Sequence, residues 1–306
     1  MASNQKLLID KIAFTQPIDK DQRLTVIERL SNKDVNAQYK GKFHRKRPTG
    51  RYNNNYGFNI VDDTIATISA YPIRKSQNFF RAEYNPTKLK RDGQIKLRRF
   101  FIKVLKNSTV KLIYFHAPIT RIDITLDVYD MEPNLYIHLP RFRYSKIHRA
   151  NDRILSQIIG NTGECRLTMY DKNLERGIED SGHNSYQRIE VRFRNLRCSM
   201  HQLTDKKISN HLLKAIKQLK FYRSGFLNDK SFSKSFRDNA YANGLNAALN
   251  DIDDNKRRRY RRYLETYRAY PISTKGLNIN KARALALNTL VHLGYRDQYL
   301  AETKLA

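Results

Sequence analysis

The sequence predicts an α+β fold, in which an antiparallel sheet with helices is followed by a helical, basic C-terminal region. The sheet is predicted because residues 121–127, 164–172 and 187–194 alternate apolar and polar side chains with the period of two that a strand requires. After residue 200 the apolar period becomes helical, and no convincing strand follows. We therefore expect an α+β domain at 1–200 and a helical basic region at 201–306.

The other elements are predicted from the same periods and from the turn residues between them. Strands are expected at 6–15, 56–60, 64–71, 79–84, 110–116, 119–128, 153–159, 165–171 and 186–195. Helices are expected at 21–30, 94–105, 205–221, 236–249, 252–269 and 279–293. The stretch Gly160-Asn161-Thr162-Gly163 separates two of these strands and suits a hairpin turn.

The charge of the chain predicts a polyanionic partner. Lys and Arg number 58 against 29 Asp and Glu, which gives a formal net charge of +29. Such an excess opposes compaction by self-repulsion, and acidic residues would serve solubility better. A nucleic acid would neutralise the excess. The 19 Tyr and 14 Phe side chains add rings that can stack on unpaired bases.

Several classes of protein are disfavoured by what the sequence lacks. The N-terminal residues have no apolar run of the signal-peptide kind, and no stretch approaches the roughly 20 apolar residues of a membrane span. The two cysteines and eight histidines form no zinc motif, and there is no phosphate-binding glycine loop. The expectation is a reduced, cytoplasmic protein with no membrane partner.

One face of the three alternating strands carries unusual chemistry. Ile122, Ile124 and Leu126 point to the buried side of the predicted sheet. The opposite face would carry Arg121, Asp123, Asp127, Arg166, Tyr170, Lys172, Arg188, Glu190 and Arg192. Carboxylates, cations and a tyrosine are the parts of a metal-assisted phosphoryl-transfer site.

Tyr170 is the predicted nucleophile of this face. A phenol has a pKa of about 10, so it needs nearby cations or a metal-polarised target to attack at neutral pH. Lys172 and Arg166 share its predicted face and could supply that help. Attack on a phosphodiester would leave a phosphotyrosine link. The alternative is that Tyr170 is an ordinary tyrosine of a sheet edge.

Asp123, Asp127 and Glu190 are the predicted metal ligands, for Mg²⁺ or Mn²⁺. Four residues of a strand span about 13 Å, so Asp123 and Asp127 cannot both bind one ion unless the strand bends. The alternative is that these acids pair across strands with Arg121, Arg188 and Arg192. The sequence leaves both interpretations open.

A dense basic run in a predicted helix is a second candidate for DNA contact. Three aspartates before the run suit the start of that helix. The cations predicted to contact DNA here are Lys256, Arg257, Arg258, Arg259, Arg261 and Arg262. The alternative is a solvated charged face.

Taken in order, these motifs resemble those of rolling-circle replication initiators of plasmids and filamentous phages, the replication initiation factor (Rep_trans) group. The resemblance covers about the first 200 residues. The motifs that carry it are IDKIAFT at 9–15, FRAEYNP at 80–86, TRIDITLD at 120–127, YDK at 170–172 and RIEVRFR at 188–194.

The resemblance implies a sheet-based nickase fold related to the HUH endonucleases, in residues 1–200. It implies that Tyr170 cleaves one strand at a replication origin, keeps the 5′ phosphate as a phosphotyrosine and releases a 3′-OH primer. Asp123 and Glu190 would be the acids near it. The implied partners are origin DNA, double- and single-stranded, and a host helicase. The paired histidines of the wider HUH group are absent from this sequence.

Other functions stay open from the residues alone. A conjugative relaxase or mobilisation nickase would use the same nicking sheet at a transfer origin. A non-catalytic, sequence-specific DNA-binding protein would use the face only for docking. An RNA-binding module fits the charge but not the acids and tyrosine. Assembly as a homodimer is also left open.

Overall fold

A computed structural model describes residues 5–31, 43–46, 52–61, 64–72, 79–89, 91–105, 113, 116–150, 152–161, 163, 165–178, 186–274 and 277. The strands are β1 (Gln5–Pro17), β2 (Phe43–Lys46), β3 (Tyr52–Val61), β4 (Thr64–Pro72), β5 (Phe79–Tyr84), β6 (Ile119–Tyr129), β7 (Tyr136–His138), β8 (Ser145–Ala150), β9 (Arg153–Ile159), β10 (Cys165–Asp171), β11 (Tyr186–Arg194), β12 (Lys220–Tyr222) and β13 (Arg268–Ala269). The helices are α1 (Lys20–Ser31), α2 (Arg91–Leu105), α3 (Lys172–Glu175), α4 (Lys206–Gln218), α5 (Lys234–Asn243), α6 (Leu245–Asn250) and α7 (Asp254–Leu264).

The chain contains two compact units. Of the described residues, the first unit takes those within 5–8, 124–193 and 210–277, and the second takes those within 9–123 and 194–209. These ranges do not follow the division at residue 200 that the sequence suggested. The physical reason is that helices of the C-terminal region pack against strand β8 of the first unit, for example through the bond from Ser145 Oγ to Asn243 O (2.7 Å).

The second unit is built on antiparallel strands in the order β2-β3-β4-β5-β1, with the start of β6 beside β1. Its core is aromatic: the ring of Phe101 meets the rings of Phe14 and Phe80 edge-on at 6.0 and 5.9 Å. Helices α1 and α2 are joined where Arg29 donates to the carbonyl of Lys103 (3.0 Å). Burial of large rings with edge-to-face contacts stabilises this unit.

The first unit contains the alternating strands, in the order β6-β11-β10-β9-β8. Leu167 and Met169 are buried, whereas Tyr170 between Met169 and the strand end is half-buried. In β11 the same alternation buries Ile189 and Val191. The antiparallel pairing and the predicted faces of these strands are confirmed, as is the α+β class.

The C-terminal part of the first unit adds a small sheet, β7-β12-β13, and helices α5 to α7. The rings of Tyr136, Phe226 and Phe232 lie in its hydrophobic cluster. Gly244 separates α5 from α6 at φ +92°, where a Cβ would lie 3.0 Å from Ser145 Oγ. Glycine therefore permits both the left-handed backbone and the close approach to β8.

Three expectations about elements need correction or qualification. The expectation of no strand after residue 200 was wrong. β12 and β13 are strands of three and two residues, and their pairing, β12 with β7 and β13 with β12, is long-range and leaves no periodic signal. Ile113 and His116 are helical rather than part of a strand at 110–116. The helix expected at 279–293 lies outside the described residues.

No helix in the described part of the chain is long and apolar enough to cross a membrane.

Asn246 fastens α6 to the loop after β7. Its side chain is buried, accepts from the N–H of Leu139 (3.1 Å), and donates to the carbonyls of Leu139 (2.7 Å) and Phe142 (2.6 Å). One amide side chain therefore bonds three backbone groups of this loop, of which the Leu139 carbonyl also accepts from the N–H of Phe142 (3.4 Å).

Replacing Asn246 with alanine is expected to lower the free energy of unfolding by about 1–3 kcal/mol, because those backbone groups lose their partner. Urea denaturation followed by circular dichroism measures the change. Asn243→Ala is the matched control, since its exposed side chain donates only to Asn239. Equal stability of the two variants would contradict this role.

Candidate active site

The polar faces of β10 and β11 bring predicted site residues together. Each residue of one strand stands directly opposite a residue of the other. The pairs on the polar face are Tyr170 with Arg188, Thr168 with Glu190, and Arg166 with Arg192. Tyr170 also stands opposite Ser156 of β9 on its other side.

Arg188 is the centre of a hydrogen-bonded network. Its guanidinium binds Asp127 in bidentate fashion, from Nε at 2.6 Å and from Nη2 at 2.9 Å. The buried phenol of Tyr186 donates to the same carboxylate (2.7 Å), and Nη2 of Arg188 also reaches the Tyr186 oxygen (3.2 Å). Burial opposes the charge of Arg188, but Asp127 raises the pKa of its guanidinium well above the ordinary value. The planar fork of arginine suits this bidentate contact.

The Tyr170 phenol is kept protonated by its surroundings. Burial raises its pKa to about 12, and the charges of Glu175 and Glu190 act in the same direction. Arg188, which is hydrogen-bonded to the phenol, lowers the pKa but does not compensate. At neutral pH this tyrosine is therefore a neutral hydroxyl, and attack would require removal of its proton during the reaction.

Lys172 contacts Tyr170 from a helix rather than from the strand. The strand ends at Asp171, whose carboxylate accepts from the N–H groups of Asn173 (2.9 Å) and Leu174 (3.2 Å) and so caps α3. The Lys172 ammonium lies 5.7 Å from the centroid of the Tyr170 ring and forms an ion pair with Glu175. It is placed over the ring face, a favourable position for a cation.

Two arginines face each other farther along the same strands. Arg192 donates to Glu190 (2.7 Å) and stands opposite Arg166. The Nε of Arg166 is buried and has no hydrogen-bond partner among the described residues. Like charges placed opposite each other are unfavourable. Glu190 compensates Arg192, so a phosphate at this end of the face would chiefly offset the charge of Arg166.

Asp123 and Arg121 belong to the second unit and form a separate charge network there. Arg121 binds Asp123 through Nε (2.8 Å) and Nη2 (2.5 Å), and its Nη1 contacts Glu83 (3.2 Å). Glu83 also pairs with Arg81 (2.7 Å) and Lys11 (3.4 Å). Burial alone would raise the pKa of Glu83, but the cations, Arg81 foremost, hold it below the ordinary value.

The predicted metal ligands fit ion pairs better than a preformed metal site. Both carboxylate oxygens of Asp127 and of Asp123 accept from arginine, and Glu190 accepts from Arg192. The described residues include no group of three or more His, Cys, Asp or Glu side chains placed to hold a metal. Mg²⁺ or Mn²⁺ accordingly stays a prediction from the sequence.

The cations of the basic helix α7 are of two kinds, one bonded within the protein and the others exposed to solvent. Arg257 is engaged internally: it donates to the carbonyls of Leu249 (2.5 Å), Asn250 (3.3 Å) and Ile252 (2.8 Å), at and after the end of α6. It also pairs with Asp254 (2.5 Å). The cations that α7 exposes to solvent are Lys256, Arg258, Arg259, Arg261 and Arg262.

Two residues of this site were missed from the sequence. Tyr186 shares a face with Arg188 and Glu190, so the period of two could have placed it there. Glu175 could not be found in this way, because it reaches Tyr170 from a short helix after the strand.

Comparisons with known proteins find a remote structural similarity. No family model matches the chain, and no curated protein matches it. Among solved structures, the rolling circle replication initiator protein from Geobacillus stearothermophilus is similar, with 15% sequence identity and a TM-score of 0.41 over 76% of this chain and 90% of that chain. The chemistry of the site is therefore inferred from its own side chains.

The Glu83 network makes stability depend on pH in a defined direction. Because the pKa of Glu83 is lowered in the folded protein, its ionised form stabilises the fold above the ordinary pKa of 4.5, and this stabilisation is lost as the pH falls through the lowered value. We expect Glu83→Gln to lower the free energy of unfolding at pH 7 by about 1.5–3 kcal/mol.

The measurement is urea denaturation of both proteins between pH 3 and pH 7. The difference between them should shrink below the ordinary pKa of the carboxyl group. Glu132→Gln is the control, since Glu132 pairs only with the exposed side chain of Arg223 among the contacts of the described chain. A difference for Glu83→Gln that did not change with pH would contradict the network.

Proposed function

We propose that this protein is a rolling-circle replication initiator that cleaves one strand of origin DNA with Tyr170. The observation that carries the proposal is the environment of the Tyr170 phenol. Arg188 is hydrogen-bonded to it, Lys172 lies over its ring, and the charges of two carboxylates raise its pKa. A nucleophile with cations for a phosphate and acids for a proton is what strand transfer requires.

These groups account for every bond made or broken in the proposed reaction and for the transfer of the proton. The Tyr170 oxygen forms a bond to phosphorus, and the bond from phosphorus to the 3′ oxygen breaks. The phenol proton passes to a nearby carboxylate and from there to the departing 3′ oxygen. Glu190 shares the polar face with Tyr170, and Glu175 is ion-paired with Lys172 beside the Tyr170 ring, so these two are the proposed acids. The products are a 5′-phosphotyrosine and a free 3′-OH.

Arg188 would stabilise both the forming phenolate and the phosphate, and Asp127 would hold Arg188 in position. The bidentate contact fixes the plane of the guanidinium. Preorganised donors of this kind lower the barrier because they need no reorientation during the reaction. Asp127 is thus proposed as a positioning residue.

The metal, the partners and the competing functions remain proposals. Mg²⁺ or Mn²⁺ is the proposed cofactor, recruited together with the substrate phosphate. Origin DNA and a host helicase are the proposed partners, with a homodimer left open. A conjugative relaxase would carry out the same step at a transfer origin, and a non-catalytic DNA-binding protein would not carry it out at all.

Tyr170→Phe is expected to abolish nicking of supercoiled origin DNA and formation of a covalent protein–DNA adduct. Gel electrophoresis in Mg²⁺ or Mn²⁺, with a chelator arm, measures both products. Tyr144→Phe is the control, because that tyrosine is 47% exposed and lies outside the site. Unchanged nicking by Tyr170→Phe would show that another residue is the nucleophile. Absence of nicking by the parent protein would favour the non-catalytic interpretation. Full nicking activity in the presence of chelator would contradict the proposed requirement for a metal ion.

Arg188→Gln is expected to reduce the nicking rate by about 10²–10³, because a donor at the reacting group is removed. Arg188 lowers the pKa of the phenol, so its removal should also move the rising limb of the pH–rate profile to higher pH. Arg188→Lys keeps the charge and should move the limb less. A lower rate with an unshifted profile in Arg188→Gln would indicate a structural role only.

A further inference from the structure

One face of the small sheet of the first unit is buried in the hydrophobic cluster at Tyr136 and Tyr222 and reaches solvent at its edge, at Lys220 and Tyr270, outside the candidate active site. Register aligns Tyr136 of β7 with Tyr222 of β12 and with Arg268 of β13. His138 stands opposite Lys220 in the next row. Side chains two residues apart share a face, so this face also continues toward Tyr270, two residues after Arg268.

Cations from three elements converge at this face. Burial lowers the pKa of His138 to about 3, and the next largest causes are the charges of Arg261, Lys220 and Arg268. Glu265 is the carboxylate that acts against them, and it is bonded to Lys220 Nζ (2.7 Å) and to the Tyr222 hydroxyl (3.1 Å). The imidazole is neutral at neutral pH, so three cations meet one carboxylate here.

Arg268 holds a donor without a partner between two rings. Its guanidinium lies 5.3 Å from the centroid of the Tyr222 ring and 5.4 Å from that of Tyr270. The buried Nε has no hydrogen-bond partner among the described residues. Its Nη1 donates to the Tyr222 hydroxyl (3.4 Å), so the cation is held between a buried ring and the exposed ring of Tyr270.

Tyr270 is the exposed aromatic of this face. Its side chain is 81% exposed, against 42% for Tyr241 and 41% for Tyr263. A ring left this open to water beside a guanidinium offers a flat surface on which a base could stack. The neighbouring helix α7 adds exposed cations, among them Arg258 and Arg262, one turn apart.

We propose that this face binds single-stranded DNA, with Lys220, Arg261 and Arg268 contacting phosphate and Tyr270 stacking on an unpaired base. The pairing of cations with an open aromatic ring favours a single strand, because the bases of a duplex already stack on each other. The inference rests on the proposed function only in taking DNA as the partner. It does not depend on Tyr170 or on cleavage.

The test measures binding of a fluorescently labelled oligo(dT) and of a labelled duplex by anisotropy. Tyr270→Ala should weaken oligo(dT) binding by at least about tenfold because stacking is removed, and change duplex binding by less than about twofold. Tyr270→Phe keeps the ring and should restore affinity. Tyr144→Ala, which also removes an exposed tyrosine, should bind like the parent protein.

The phosphate contacts have their own measurement. For oligo(dT), the slope of log affinity against log salt concentration should become shallower by about 0.7 in Lys220→Gln, because one cation no longer neutralises a phosphate. An unchanged slope would remove Lys220 from the site. Equal weakening of oligo(dT) and duplex binding in Tyr270→Ala, or no weakening of either, would overturn the proposal.

These outcomes are separable from those for nicking. Origin nicking by Tyr270→Ala with normal oligo(dT) affinity would remove this subsite and leave Tyr170 as the proposed nucleophile. Selective loss of oligo(dT) binding, in a protein that does not nick, would support this subsite and reject the cleavage chemistry.

Discussion

Asp127 and Arg188 form a buried ion pair on which the rest of the candidate active site depends. Removing two charges from water is costly, and the cost is offset only when the geometry is good and the remaining polar atoms are bonded. Here both carboxylate oxygens accept from the guanidinium, and Tyr186 donates to the same group. The pair therefore tolerates few alternative arrangements, and Arg188 is held opposite Tyr170.

The same electrostatics decide the protonation state of Tyr170, the proposed nucleophile. Arg188 stabilises a phenolate, but its charge is partly cancelled by Asp127, and burial with Glu175 and Glu190 favours the neutral phenol. A resting tyrosine that is protonated and hydrogen-bonded is protected from indiscriminate reaction. In the proposed reaction the phenol would lose its proton only as the phosphate is attacked, and the guanidinium groups would stabilise the negative charge that develops.

Period-two alternation allowed the shared face of Tyr170, Arg188 and Glu190 to be predicted, because it depends only on strand geometry. It also placed Arg166 and Arg192 on that face.

The alternation could not decide whether a metal or an arginine is the partner of Asp127, since that choice depends on the register of strands far apart in the chain. The same limit hid β12 and β13, whose two or three residues pair only at long range. Arg257 was counted with its neighbours because composition does not indicate that its side chain turns back to the end of α6.

Within the first unit, the ion-paired cations and the exposed cations have different proposed roles, the former in chemistry and the latter in binding. Arg188 and Arg192 are ion-paired on the Tyr170 face, so in the proposed function they would position a phosphate more than they would add salt-dependent affinity. The exposed cations of α7 and the Lys220–Arg268 face are compensated less, since one carboxylate meets three cations beside His138. Counterion release from a bound strand would come mainly from those surfaces. In the proposed function, the excess positive charge of the chain, +29 in all, would hold DNA at the exposed surfaces, while the cations near Tyr170 are largely paired with carboxylates.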